Sequence, residues 1–153
     1  MIVKQIIFED FVNYKVASMV IGFPKCSFKC NQSVCQNSAL ADAPDIVVYA
    51  YILIDRYLKN TITHAVVMQG LEPMDSWEDV QSFVQLFREK TNDDIVIYTG
   101  YNKCEIADKI RWLQRYKNII VKYGRYIPNQ KPHYDGVLGV DLASDNQYAE
   151  KIS

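Results

Sequence analysis

No sign of charge dominates this chain: 17 Lys and Arg stand against 18 Asp and Glu, for a formal net charge of -1. The whole-molecule field that would gather nucleic acid or an anionic membrane is therefore missing. Long apolar runs are missing too. The longest, Ile46 to Ile54, falls well short of the ~20 residues that cross a bilayer. The first residues lack the form of a signal peptide, because Lys4, Glu9, Asp10 and Lys15 interrupt them. The expectation is a cytoplasmic protein with neither a membrane nor a nucleic acid as partner. Internal repeats, low-complexity tracts and Gly/Ser linkers are also absent, so residues 1–153 read as a single domain. Finally, no residue stands out as a general acid, base or nucleophile.

What is present is apolar and aromatic. Hydrophobic residues make up 49% of the chain, enough for a buried core. Eleven tyrosines suit a core boundary, or a surface that something else covers. Seven basic residues and no acidic one lie between Lys109 and Lys131, which reads as a solvated helix face or as a docking surface for an acidic partner.

Periodicity gives the outline of a fold. Met1 to Asp10 and Lys15 to Ile21 read as a hairpin across Phe11-Val12-Asn13-Tyr14. A polar, cysteine-bearing loop follows Gly22-Phe23-Pro24 and runs to Ser38. Pro44, with its fixed φ, suits the first turn of a helix over Asp45 to Lys59, apolar on most sides and expected to be buried. His64 to Gln69, Asp94 to Thr99 and Ile119 to Val121 are short β-rich runs, and Gly136 to Leu142 is a candidate last strand. Ser76 with Asp79 has a capping-box pattern ahead of Val80, Phe83, Val84 and Phe87 at helical spacing. Asn102 with Glu105 has the same pattern ahead of Ile106, Ile110 and Leu113. Strands alternating with helices in this way build βαβ units around a parallel sheet. There are too few units for eight strands, so the fold class is α/β: an open partial (β/α) barrel or a small doubly wound sheet, with an N-terminal hairpin.

In such sheets ligands bind beyond the C-terminal strand ends. Those ends carry the cysteine loop, then Gln69-Gly70-Leu71-Glu72-Pro73, then Tyr98-Thr99-Gly100-Tyr101. Cys26, Cys30 and Cys35 lie within ten residues of one another on a polar loop, and three such thiolates can wrap a soft metal centre. A structural zinc wants a fourth ligand, for which Cys104 or a histidine would have to serve. A cubane cluster held by three cysteines leaves one iron open. Spacing alone keeps zinc, a cluster and unrelated free thiols all in play.

Taken together, the three cysteines, the strand-end Gly-x-Glu-Pro and the alternating strands resemble the radical SAM superfamily. Within it, the chain is most similar to the small activating enzymes of anaerobic ribonucleotide reductase and, more distantly, of pyruvate formate-lyase. Glu9 to Tyr14 resembles the family's opening. Cys35-Gln36-Asn37 resembles its Cys-x-Asn, and Thr99-Gly100-Tyr101 its Thr-Gly-Tyr. Val121 to Tyr126 and Ala143 to Gln147 resemble its C-terminal strand and closing Ser-x-Asn-Gln.

Two positions depart from the family. Four residues, rather than two, separate Cys30 from Cys35, and Gly-Gly-Glu-Pro becomes Gly70-Leu71-Glu72-Pro73. The longer loop costs little entropy, and a Leu at position 71 is unstrained only with negative φ.

The resemblance implies a 4Fe-4S cluster on Cys26, Cys30 and Cys35 and S-adenosylmethionine (SAM) as cofactor, cleaved reductively to begin radical chemistry. It implies that Glu72 meets the SAM ammonium and that Gly70 and Leu71 offer backbone to its methionine part. Thr99 would hydrogen-bond its ribose or carboxylate, Phe28 would shield the cluster or touch the adenine, and Asn37 would close the loop. It also implies a flavodoxin-like electron donor and a glycyl radical enzyme as protein substrate. The alternatives are a radical SAM enzyme acting on a small molecule, peptide or nucleic acid, and a non-catalytic zinc- or cluster-binding module.

Overall fold

The computed structural model describes all 153 residues. A first short strand, β1 (Ile2–Val3), precedes a hairpin of β2 (Gln5–Asp10) and β3 (Ser18–Phe23), paired antiparallel as the sequence suggests. Asp10 shapes the connection: its carboxylate accepts from the N–H groups of Val12 and Asn13, at 3.3 and 2.9 Å. The cysteine loop holds one short helix, α1 (Ser38–Ala41), and leads to β4 (Ile46–Val47), which pairs antiparallel with β1.

Next come α2 (Ala50–Lys59), β5 (Ala65–Gly70), α3 (Trp77–Arg88), β6 (Asp94–Tyr98), α4 (Ala107–Leu113) and β7 (Ile119–Tyr123). A small hairpin of β8 (His133–Asp135) and β9 (Val140–Leu142) then precedes the last strand, β10 (Tyr148–Lys151).

The main sheet runs β10-β7-β6-β5-β3-β2. Its four central strands are parallel, and an antiparallel strand closes off each side. The fold is thus α/β with a mostly parallel central sheet that is open at both edges. Side chains alternate across it. Val66, Met68, Ile95, Ile97, Ile119 and Val121 face a helix-side core with Phe83, Phe87, Ile110 and Leu113. Val20, Val67, Val96 and Ile120 face the other side, covered by Tyr14, Leu138 and Leu142. Fully burying such a side chain contributes about 1.5–3 kcal/mol. No helix is long and apolar enough to cross a membrane.

Four local expectations need correcting. The helix expected from Asp45 starts only at Ala50, because Ile46 and Val47 are drawn into β4; β-branched residues favour the extended chain offered by β1. That helix is also not buried on most sides: Leu53, Ile54 and Tyr57 are inside, whereas Tyr51, Ile52 and Leu58 are exposed. Ser76 forms no cap bond, and its buried hydroxyl has no partner. Asp79 turns instead to the chain's start, accepting from the Ile2 N–H at 3.3 Å. Gly136 to Leu142 supplies only β9, outside the main sheet, and the edge strand is β10. The second capping pattern does form, with the Glu105 carboxylate accepting from the Asn102 N–H at 2.8 Å.

Candidate metal centre

Parallel pairing brings the strand ends level. Phe23 lies beside Gly70, and Tyr98 beside Lys122. The loops leaving β3, β5, β6 and β7 therefore line one cleft of about 320 Å³. Cys26, Cys30 and Cys35 are in its wall, together with Asn37, Gly70, Leu71, Glu72 and Thr99. Phe28 is not: it is half-buried beside the cleft, with a left-handed φ of 48°.

Local chemistry holds the cysteine loop in shape. The Phe28 N–H donates to Cys26 Sγ at 3.2 Å. The lengthened stretch between Cys30 and Cys35 is taken up by a 3-10 turn at Gln32–Val34. Asn31 adopts φ 71° there, and its side chain accepts from the Ser33 N–H at 3.1 Å and the Ser33 hydroxyl at 3.0 Å. Asn tolerates this backbone better than most residues. The turn leaves Asn31, Gln32 and Ser33 exposed to solvent, with Cys30 and Cys35 both in the cleft wall.

At the end of β5, Gly70 takes φ 104°, and a Cβ there would meet Gly22 Cα and Phe23 N at 2.7 Å. Only glycine lets the strand end approach β3 this closely. Leu71 is outside the left-handed region and donates its N–H to the Phe23 carbonyl at 3.2 Å. Asn37 reaches across from the cysteine loop, donating to the Gly70 carbonyl at 3.0 Å.

Glu72 is buried, and burial raises its carboxyl above the ordinary range. Its carboxylate accepts from the Thr99 hydroxyl (2.8 Å), the Gly100 N–H (2.8 Å) and the Met74 N–H (3.0 Å). Glu72 and Thr99 are thus committed first to each other, clasping the ends of β5 and β6. A carboxylate has about four lone-pair sites, so one remains for a ligand.

Four residues that the sequence reading did not place among the metal or cofactor ligands belong to the same region. Lys122, at the end of β7, is buried in the cleft floor, and its ammonium donates to the Gly124 carbonyl at 2.9 Å. Burial lowers its pKa to about 8. Arg125 pairs with Glu105 at 2.6 Å, and Lys29 lies 3.8 Å from the same carboxylate. Gln147 fastens the closing loop, accepting from the Ala143 N–H at 3.1 Å and donating to the Gly124 carbonyl at 3.2 Å. A visible signal for Lys122 is a charge ending an otherwise apolar β-run, Ile119-Ile120-Val121. The basic stretch it belongs to does not form one patch: Lys109 reaches Met74, Arg111 pairs with Asp108, and Lys122 is inside.

The donor set fits an iron–sulfur cluster. All three loop cysteines are free thiols facing one cleft. Cys104 is exposed, and neither it nor His64 nor His133 lines the cleft, so a closed zinc site of cysteine and histidine alone lacks its fourth ligand. No three Cys, His, Asp or Glu side chains gather into a cage for one ion. A cluster needs no such cage, since it takes its thiolates on separate irons. Burial, with Glu72 and Asp75 adding to it, pushes the Cys26 thiol up to about 11, and burial also raises Cys30. Bound iron reverses this order, because a coordinating thiol is deprotonated by the metal's charge.

Fold and site define an α/β protein with three free cysteines in one cleft at the C-terminal ends of its parallel strands. The family model described as the 4Fe-4S single cluster domain matches residues 17–141. The chain belongs to that family, and a 4Fe-4S cluster-binding domain is present. No curated protein matches the chain, and no solved structure does.

Proposed function

We propose that the chain is a radical SAM enzyme whose product radical is delivered to a partner protein. Cys26, Cys30 and Cys35 hold the cluster, and SAM lies along the strand ends of an open partial barrel. The observation that carries this reading is one cleft containing three thiols, no fourth cysteine or histidine, and the Gly70-Leu71-Glu72 turn. When bound, the cluster supplies one electron to the sulfonium, which breaks the C–S bond to give methionine and a 5'-deoxyadenosyl radical.

The chain's own residues bind and orient. Glu72 offers its remaining lone pair to the SAM ammonium, a charge-assisted bond to a buried carboxylate. That cation, together with Lys122, favours the ionised carboxylate against the desolvation that raises its pKa. Gly70 lets the backbone come close, and Thr99 holds Glu72 in place. Asn37 ties the cysteine loop to that turn. Phe28 covers the Cys26 side from beside the cleft.

The cleft is open on one side, so the radical must be sheltered by what docks there. A glycine-bearing loop of a glycyl radical enzyme suits that role, with a flavodoxin-like electron donor and a cytoplasmic setting. Resemblance to the activating enzymes of anaerobic ribonucleotide reductase supports this choice of substrate.

The test is anaerobic reconstitution with iron and sulfide, then dithionite and SAM. We expect about four irons per chain, release of 5'-deoxyadenosine, and loss of both in Cys35→Ala. Stoichiometric zinc, or a loaded cluster that leaves SAM whole, overturns the proposal. A small-molecule or nucleic acid substrate is favoured instead if 5'-deoxyadenosine forms while no glycyl radical appears on a co-incubated glycyl radical enzyme.

A further inference from the structure

Beside the Cys26 end of the loop sits a group of polar contacts that cluster binding does not by itself require. Asp75 follows Glu72 by three residues, on the turn between β5 and α3. One of its oxygens, Oδ2, accepts from the Ser27 backbone N–H at 2.7 Å. The other, Oδ1, accepts from the Tyr101 hydroxyl at 2.6 Å. That hydroxyl is also 3.1 Å from Ser27 Oγ. Three separate strand-end loops thus meet on one carboxylate, and the residue they fix is the immediate neighbour of Cys26. Tyr101 is held in turn by the Lys29 ammonium over its ring, 4.6 Å from the centroid.

We infer that Asp75 is a positioning residue for the cluster: it clamps the Cys26 arm of the loop, and its negative charge lowers the cluster's reduction potential. Clamping follows from geometry. On one side of Cys26 the Lys25 carbonyl accepts from the Glu72 N–H at 2.9 Å, and on the other the charge-assisted bond from the Ser27 N–H to Asp75 holds the backbone next to a ligand. The electrostatic part follows from proximity. Reducing the cluster adds an electron, and a nearby carboxylate in a partly desolvated wall opposes that addition. Tyr101 donates to the same carboxylate, spreading its charge and moderating the effect. The inference rests on the cluster being held by Cys26, not on SAM being its ligand.

The test compares wild type, Asp75→Asn and Tyr101→Phe after anaerobic reconstitution, with iron and sulfide content and the midpoint potential from an EPR-monitored titration without SAM. Asp75→Asn is expected to shift the midpoint positive. Tyr101→Phe, which strips a donor from the carboxylate, is expected to shift it negative. A fully loaded Asp75→Asn protein with an unchanged or lower midpoint overturns the inference. If Asp75→Asn instead loses iron, the clamp is supported and Tyr101→Phe decides the charge effect: a midpoint at or above wild type overturns it. Because SAM takes no part in these titrations, a protein that carries its cluster yet leaves SAM intact sinks the proposed function while the Asp75 test stands.

Discussion

Lys122 ends β7 with an ammonium closed off from water, bonded to the Gly124 carbonyl and to no carboxylate within ion-pair range. Burial brings its pKa from 10.5 to about 8. Between those values the unfolded chain holds a proton that the native one has shed, so this lysine makes stability rise with pH across that window. Below pH 8 the buried charge destabilises the fold by roughly 3 kcal/mol. Cys26 works the other way, since its raised value costs stability between its ordinary 9.0 and about 11. The effect of Lys122 is therefore read as a difference. In denaturant melts of the cluster-free protein, Lys122→Met should be more stable than wild type at pH 7, with the gap closing toward pH 10.5. A gap independent of pH would show that the ammonium is solvated. A charge held at such a cost in a cleft wall fits a residue kept for binding rather than for stability.

Among the elements, the short hairpin of β8 and β9 depends on one carboxylate. Asp135 accepts from the N–H groups of Val137, Leu138 and Ala149, each at 2.9 Å. It joins the hairpin to β10 and keeps Leu138 over the second core face. Asp135→Ala leaves three donors short of an acceptor, at about 1–3 kcal/mol for each that stays buried. We expect unfolding stability to fall by roughly 3 kcal/mol, and amide exchange at Leu138 and Ala149 to quicken more than at β5. Equal quickening throughout the sheet would mean that the hairpin is not a separable unit.

Elements also differ in how legible they were. The parallel strands at β5, β6 and β7 could be read because their apolar runs are short and bounded by turns. The start of α2 could not, because Ile46 and Val47 suit helix or strand locally and their choice is made by β1, more than forty residues away. Ser76 has the right residue type for a cap. The 3-10 turn after Glu72 places it at φ −111°, with its hydroxyl in the core.

For the molecule as a whole, the cluster and the fold should support each other. The cysteine loop carries no buried residue between Lys25 and Asn37, so little apolar packing secures it without its metal. Ligand binding adds stability in proportion to affinity for the native state. Removing iron with a chelator under anaerobic conditions should lower Tm by several degrees and expose this loop to protease, while the sheet remains folded by circular dichroism. If Cys35 is a ligand as proposed, Cys35→Ala should show the lower Tm with or without the chelator. If chelation leaves Tm unmoved, the loop is ordered by the protein alone.

Local chemistry was enough to determine the three-thiol loop, the Gly70-Leu71-Glu72-Pro73 turn and the alternation of strand with helix. Each depends on residue type at short range: thiolates for soft metals, glycine for positive φ, apolar spacing for elements. Tertiary structure decided what those residues share. Glu72 finds Thr99 and Gly100, Asn37 finds the Gly70 carbonyl, and Asp75 finds Ser27 and Tyr101 only because four parallel strands end at one level. The burial of Lys122 and the open edges of the sheet were settled there too. Such partners lie 26 to 48 residues apart, a range over which spacing in the sequence carries no information about distance in space.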